Sequence, residues 1–199
     1  MKKKECLAFF REKFGKEISG GSGEWKFLVK KEGEYGFFKL GVRLLKSTPI
    51  QYLDLWVDIG PSWYAEVIKE IREDDILNSL MSFNHMQRPE GGEVLEANLL
   101  LGLEAAYKLY EEKNKPETIS QYLSKVYEYG LSNDSYQYNS DFYYCCVFKG
   151  NVEYLEEERV AKENGTSIQP PVYTLQFFTN AVRLAKEFRS GERVCPIDF

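Results

Sequence analysis

Two alternating runs on either side of Lys46-Ser47-Thr48-Pro49 constrain the fold more than any other part of the chain. In the first, Phe38, Leu40, Val42 and Leu44 alternate with Phe37, Lys39, Gly41, Arg43 and Leu45. In the second, Leu53, Leu55, Val57 and Ile59 alternate with Tyr52, Asp54, Trp56 and Asp58. Period-two alternation of this length marks half-buried strands. A four-residue hairpin loop over 47–50 sets Lys46 opposite Gln51, and every cross-strand pair then sums to 97. One face becomes apolar throughout: Leu44 meets Leu53, Val42 meets Leu55, Leu40 meets Val57 and Phe38 meets Ile59. The other face sets Arg43 against Asp54 and Lys39 against Asp58. It also lays Trp56 over Gly41, where a ring covers backbone that the glycine leaves bare. Opposite charges directly across two strands contribute roughly 0.2–1 kcal/mol each. A slip of one residue would turn every apolar side chain to the wrong face.

The surrounding chain extends this hairpin into a meander. Trp25, Phe27 and Val29 alternate with Lys26, Leu28 and Lys30, and Glu32-Gly33-Glu34 supplies a turn. Residues 2–15 read as a short amphipathic helix through Leu7, Phe10 and Phe14. Residues 19–23 (SGGSG) read as a flexible connector, without the Gly-Lys-Ser/Thr ending of a phosphate loop. Gly60-Pro61 closes the third strand and opens a helix over 61–73. Asp74-Asp75 interrupts it, residues 76–83 read as a further turn or two of helix, and 88–92 as a loop. Residues 93–113 are apolar almost all round at Leu99, Leu100, Leu101 and Leu103, the pattern of a helix buried on several sides. Thr118 and Gln121 read as a capping box for a helix to about 131, followed by polar, turn-like residues over 132–140. Residues 141–149, with Phe142, Tyr144, Cys146 and Phe148 on one side, read as a strand that extends the sheet. Helices over 152–163 and 172–189 complete the chain. The expected class is α+β: an antiparallel three- to four-stranded meander sheet packed on a helical layer. One domain spanning 1–199 is expected, with the helix at 93–113 as its central packing element.

The 199 residues carry 31 acidic and 26 basic side chains, a net charge of −5. No uncharged apolar run reaches the ~18 residues of a membrane span. The basic N-terminus is interrupted by Glu5, Arg11, Glu12 and Lys13, which argues against a signal peptide. Cys6, Cys145, Cys146 and Cys195 form no CxxC pair and no zinc-like spacing, so reduced thiols and a cytoplasmic location are expected. On that reading Asn164-Gly165-Thr166 is a polar turn rather than a glycosylation acceptor.

No catalytic signature emerges. His85 is the single histidine, and nothing in the spacing pairs it with a thiol or carboxylate. Asp54 and Asp58 stand ~13 Å apart along one strand face, too far for the two carboxylates of a glycosidase. Asp74-Asp75 lacks the alternating ligands of a calcium loop. No cofactor or metal is expected. The chain is instead polarised in charge: residues 1–50 balance at +6 and residues 51–135 at −9. Glu153, Glu156, Glu157 and Glu158 form the densest acidic cluster, read either as a solvated helix face or as a docking surface for a basic protein. Trp56, with Phe37 and Tyr52, falls on the outer sheet face beside Asp54 and Asp58, where an uncovered surface would suit a protein partner. Direct nucleic-acid binding lacks both a motif and the right net charge, and no membrane association is expected.

Small size, acidity, an aromatic-rich surface and no visible catalytic set resemble the immunity proteins that bacteria pair with secreted toxins. The likeness is one of composition and covers no motif, so it transfers no residue roles. The expectation is a non-catalytic protein-binding module, toxin-neutralising in kind, acting through Glu153, Glu156, Glu157, Trp56, Asp54 and Asp58. The alternatives are a small enzyme with its site near His85, which predicts a deep pocket there, and a structural subunit of a homo-oligomer.

Overall fold

The computed structural model describes residues 1–21, 24–29, 37–47, 50–74, 78–87, 92–133 and 139–199. The elements in chain order are α1 (Lys3–Phe14), β1 (Ser19–Gly21), β2 (Glu24–Val29), β3 (Phe37–Ser47), β4 (Ile50–Gly60), α2 (Ser62–Arg72), β5 (Met81–Gln87), α3 (Glu96–Lys113), α4 (Pro116–Ser132), α5 (Ser140–Phe148), α6 (Val152–Glu163) and α7 (Leu175–Ser190). The described residues thus form an α+β chain with one antiparallel sheet, ordered β1-β2-β3-β4-β5. They fall into two compact units: 1–62 with 79–115, and 63–78 with 116–199. Among the described residues no helix is long and apolar enough to cross a membrane.

In the first unit the central hairpin pairs as its two-faced alternation requires. Leu44 lies opposite Leu53, Val42 opposite Leu55, Leu40 opposite Val57 and Phe38 opposite Ile59. The register holds one pair further than expected, to Ser47 and Ile50. The connection is therefore two residues rather than four, and Thr48-Pro49 lies outside the described residues. The apolar face is sealed by two helices. Phe10 and Phe14 of α1 pack on Phe27, with ring centroids 5.7 and 6.1 Å away. Tyr107 and Tyr110 of α3 pack on Phe38 at 5.4 and 4.8 Å. Phe10, Phe27, Phe38, Leu40, Leu53 and Leu55 are fully buried, and each such side chain contributes ~1.5–3 kcal/mol.

The sheet has five strands where three or four were expected. Residues 81–83, expected to close a turn or two of helix begun at 76, instead open β5 (Met81–Gln87) on the far edge of β4. The third long strand needed a partner for its backbone, and that need outweighs the weak strand preference of Ser82 and Asn84. Ser19-Gly20-Gly21, read as a connector, is a short edge strand on β2. Gly20 lies opposite Trp25, whose Cδ1 would stand 2.7 Å from any Cβ there. The turn at Glu32-Gly33-Glu34 lies outside the described residues, as do most of 88–92 and of 132–140.

In the second unit residues 141–149 are not a strand. They form α5, and every side chain from Phe142 to Phe148 is buried. An unbroken apolar run cannot be assigned by period alone, because a fully buried helix and a buried strand read alike. The Asn139 side chain accepts the amide of Asp141 at 3.0 Å and starts the helix. Phe142 lies against Gly130 of α4 so closely that a Cβ there would stand 2.0 Å from its Cδ2. Helix α4 begins at Pro116, two residues before the expected cap at Thr118, as suits proline at a first helical position. The all-round burial expected of 93–113 belongs to α5 instead. Helix α3 buries one stripe, and Leu100 and Leu101 are 43 and 56% exposed.

Candidate functional site

The outer face of the sheet is built by parity. Antiparallel neighbours share a face, so Lys26, Gly41, Trp56 and Asn84 form one row across four strands. Glu24, Arg43 and Asp54 form the row on one side of it, and Leu28, Lys39, Asp58 and Ser82 the row on the other.

Trp56 sits at the centre. Its indole fills the space over Gly41, where a Cβ would stand 1.8 Å from Cε2. The Lys26 ammonium and the Arg43 guanidinium each lie 5.9 Å from its ring centroid. Cations at this distance from an indole are attracted to its electron-rich face.

Each cation is anchored from below. Arg43 donates from Nε and Nη2 to Oδ2 of Asp54, at 3.2 and 2.5 Å, and its Nη1 lies 3.9 Å from Glu24. The bond to Asp54 raises Arg43 above its ordinary value. Asp54 is wholly buried, and its Oδ1 has no hydrogen-bond partner among the described residues. Lys26 lies 3.7 Å from Oδ2 of Asp58, whose Oδ1 accepts from the Ser82 hydroxyl at 2.6 Å. Burial lowers Lys39 below its ordinary value, while the charge of Asp58 works against that. The side chains of Lys26 and Arg43 keep 37 and 42% of their surface, against 10% for Asp58 and none for Asp54. Asp54 and Asp58 are thus withdrawn from solvent, and the exposed charge on this face comes from Lys26, Arg43 and Glu24, whose side chain keeps 46% of its surface.

The acidic cluster belongs to the other unit and is differently disposed. Glu153 is gripped by both terminal nitrogens of Arg189, which pull its carboxyl down to about 2. Glu156 accepts from Arg159 at 2.9 Å, which lowers its carboxyl as well. Glu157 is exposed. Glu158 is raised by burial and accepts from Gln169 at 3.2 Å. Of the six side chains expected to meet a partner, three thus gather on the sheet face and three on α6.

The remaining candidates resolve into structural roles or fall outside view. The His85 backbone pairs with Leu55 in β5, and its side chain lies outside the described residues, as does that of Phe37. Asp74 accepts from Arg72 at 3.0 Å just past the end of α2, and Asp75 lies outside the described residues. Cys145 and Cys146 are both buried as free thiols, and Cys145 lies 3.6 Å from the Leu123 carbonyl. Burial raises the thiols of Cys6, to about 12, and of Cys145 and Cys146, so none is a ready nucleophile at neutral pH. Among the described residues no three His, Cys, Asp or Glu side chains are grouped to hold a metal ion. Lys26, Glu24 and Ser82 are the site members that the hairpin alone did not reveal. Their signal was the alternation of 24–29 and 81–87, which needed the outer pairings before it could be read.

The chain matches no known protein family, and no curated protein or solved structure matches it significantly.

Proposed function

We propose that this chain is a non-catalytic protein-binding module of the toxin-neutralising, immunity-protein kind, acting in the cytoplasm, and that it docks its partner through the outer sheet face around Trp56. The pre-organisation of that face carries the reading. Trp56 is fixed over Gly41 between two half-exposed cations, and those cations are held by carboxylates that solvent scarcely reaches. Tryptophan and arginine dominate binding hot spots. Side chains ordered before docking lose little freedom on binding. Asp54 and Asp58 serve here as positioning residues, and the partner offers an apolar pocket to the indole and acceptors to Lys26 and Arg43.

A basic partner is the second reading, favoured by the exposure of Glu157 on α6. Glu153 and Glu156 are already partly neutralised by Arg189 and Arg159.

The test is capture of a partner from the source lysate, followed by affinity measurement on the purified pair. Trp56→Ala is expected to weaken binding by about 2 kcal/mol or more, with Glu153, Glu156 and Glu157 all changed to Lys having little effect. The reverse pattern would move the interface to α6 and make the partner basic. Indifference to both sets would sink the docking proposal.

A further inference from the structure

The two edges of the sheet are unlike. β1 has three residues, a length that leaves little backbone to pair. β5 has seven and ends the strand order, so among the described residues no strand pairs with its outer edge. Its seven pairs with β4 run on without a bulge. Edge strands are ordinarily protected by shortness, charge, proline or a bulge. Residues 81–87 (MSFNHMQ) carry no Lys, Arg, Asp, Glu or Pro, although β2, β3 and β4 all carry charged side chains. Ser82 and Asn84 are exposed. The backbone donors and acceptors of such an edge are a template for one more extended strand.

Helix α3 indicates whose strand that is. It packs over β4 and β5. On one flank Tyr107 reaches Phe38 of β3, and on the other the Lys113 ammonium lies 5.7 Å from the ring centroid of Phe83 in β5. The flank toward the free edge is therefore the ridge that ends at Lys113, in which Leu101, Ala105 and Leu109 precede it at every fourth residue. Leu101 is 56% exposed, and Ala105 and Leu109 are half-buried. Two β5 strands paired antiparallel are related by a two-fold axis perpendicular to the sheet. That axis puts both α3 helices on the same face, two strand spacings or about 10 Å apart. This is the separation at which helices pack, so the two apolar ridges meet as the strands pair. Full overlap of two seven-residue strands sets Asn84 opposite itself on the axis, and no charged residue of β5 meets a like charge.

We infer that this chain forms a two-fold dimer through β5. The second copy adds its own β5 antiparallel, the two sheets become one, and Leu101, Ala105 and Leu109 of each copy pack across the axis. The interface does not depend on the docking role given to Trp56.

Sedimentation velocity of the full chain, from low micromolar to submillimolar concentration, tests the proposal. A concentration-dependent passage from monomer to dimer is expected. Asn84→Lys, Asn84→Asp and Leu101→Lys all change exposed residues. Each is expected to keep the native far-UV circular dichroism and to raise the dimer dissociation constant by about tenfold or more. Because residue 84 faces itself, an equimolar mixture of Asn84→Lys and Asn84→Asp is expected to associate about tenfold more tightly than either variant alone. A native chain that stays monomeric throughout would overturn the proposal and leave the edge to an extended segment of a different protein. A dimer indifferent to both Asn84→Lys and Leu101→Lys would overturn it by placing the contact elsewhere. So would a mixture no tighter than its components, since residue 84 would then not face itself.

Discussion

The indole of Trp56 lies across the backbone of Gly41, and a single carbon added at residue 41 would stand 1.8 Å from its Cε2. Glycine is required there by the ring rather than by the backbone, since the position sits within a regular antiparallel ladder. Gly41→Ala is therefore expected to push the ring out from between Lys26 and Arg43. Overpacking of this kind costs about 1–3 kcal/mol. Urea denaturation measures the cost. A red shift in tryptophan emission, absent when Trp56 is first replaced by Phe, would report the ring moving toward solvent.

Arg43 and Asp54 are unequal partners. The carboxylate is wholly buried while 42% of the arginine side chain meets water. Arg43→Leu leaves the buried charge without its cation, which is expected to cost about 1–3 kcal/mol. Asp54→Asn leaves a guanidinium that water can reach, and is expected to cost less. Equal losses in the two variants, read from urea midpoints, would show that burial of Asp54 does not govern the pair.

Asp141 gives stability a pH dependence of unusual sign for a carboxylate. Burial raises its carboxyl above the ordinary 3.8, against the pull of the Tyr122 and Tyr64 hydroxyls. A carboxyl raised in the folded state holds its proton more tightly there than in the unfolded chain. Its contribution is whole below the unfolded value and is lost as pH climbs through the folded one. Asp141→Asn has no such proton. The native chain is thus expected to lose stability relative to Asp141→Asn as pH rises from 3.8 through the raised value. Urea midpoints for both chains across that range provide the check, and a difference that stayed flat or grew with pH would refute it.

Gly130 faces Phe142 as Gly41 faces Trp56, with 2.0 Å between a prospective Cβ and Cδ2. Gly130→Ala is expected to cost about 1–3 kcal/mol in the second unit. If 1–199 unfolds as one domain, as the sequence suggests, Gly41→Ala and Gly130→Ala shift the same calorimetric transition. Two transitions, each moved by one variant alone, would make the units separate domains.

The outer face was legible where two constraints coincided. In β3 and β4, apolar residues on one side and paired charges on the other both demand the sum of 97, and the ladder obeys it. The acidic run at 153–158 was legible as a helix, but its tie to α7 through Arg189 was not. Arg189 and Arg159 lie 36 and three residues from the glutamates they hold, and only the nearer contact is visible in helical spacing. The tie between Glu73 at the end of α2 and Asn180 of α7, 107 residues further along, had no signal at all.

Local alternation therefore determined the central hairpin, its register and the placing of Trp56 over Gly41, because strand period and opposite charge act between neighbours. Tertiary structure alone decided that β5 would complete the sheet, that α5 would be helical, and that Asp54 would be buried beneath Arg43. The physical reason is common to all three. A uniformly apolar run such as 142–148 satisfies more than one local geometry, and an edge such as that of β4 is satisfied by whatever strand reaches it. Such ambiguities are resolved only by burial and backbone hydrogen bonding across distant parts of the chain.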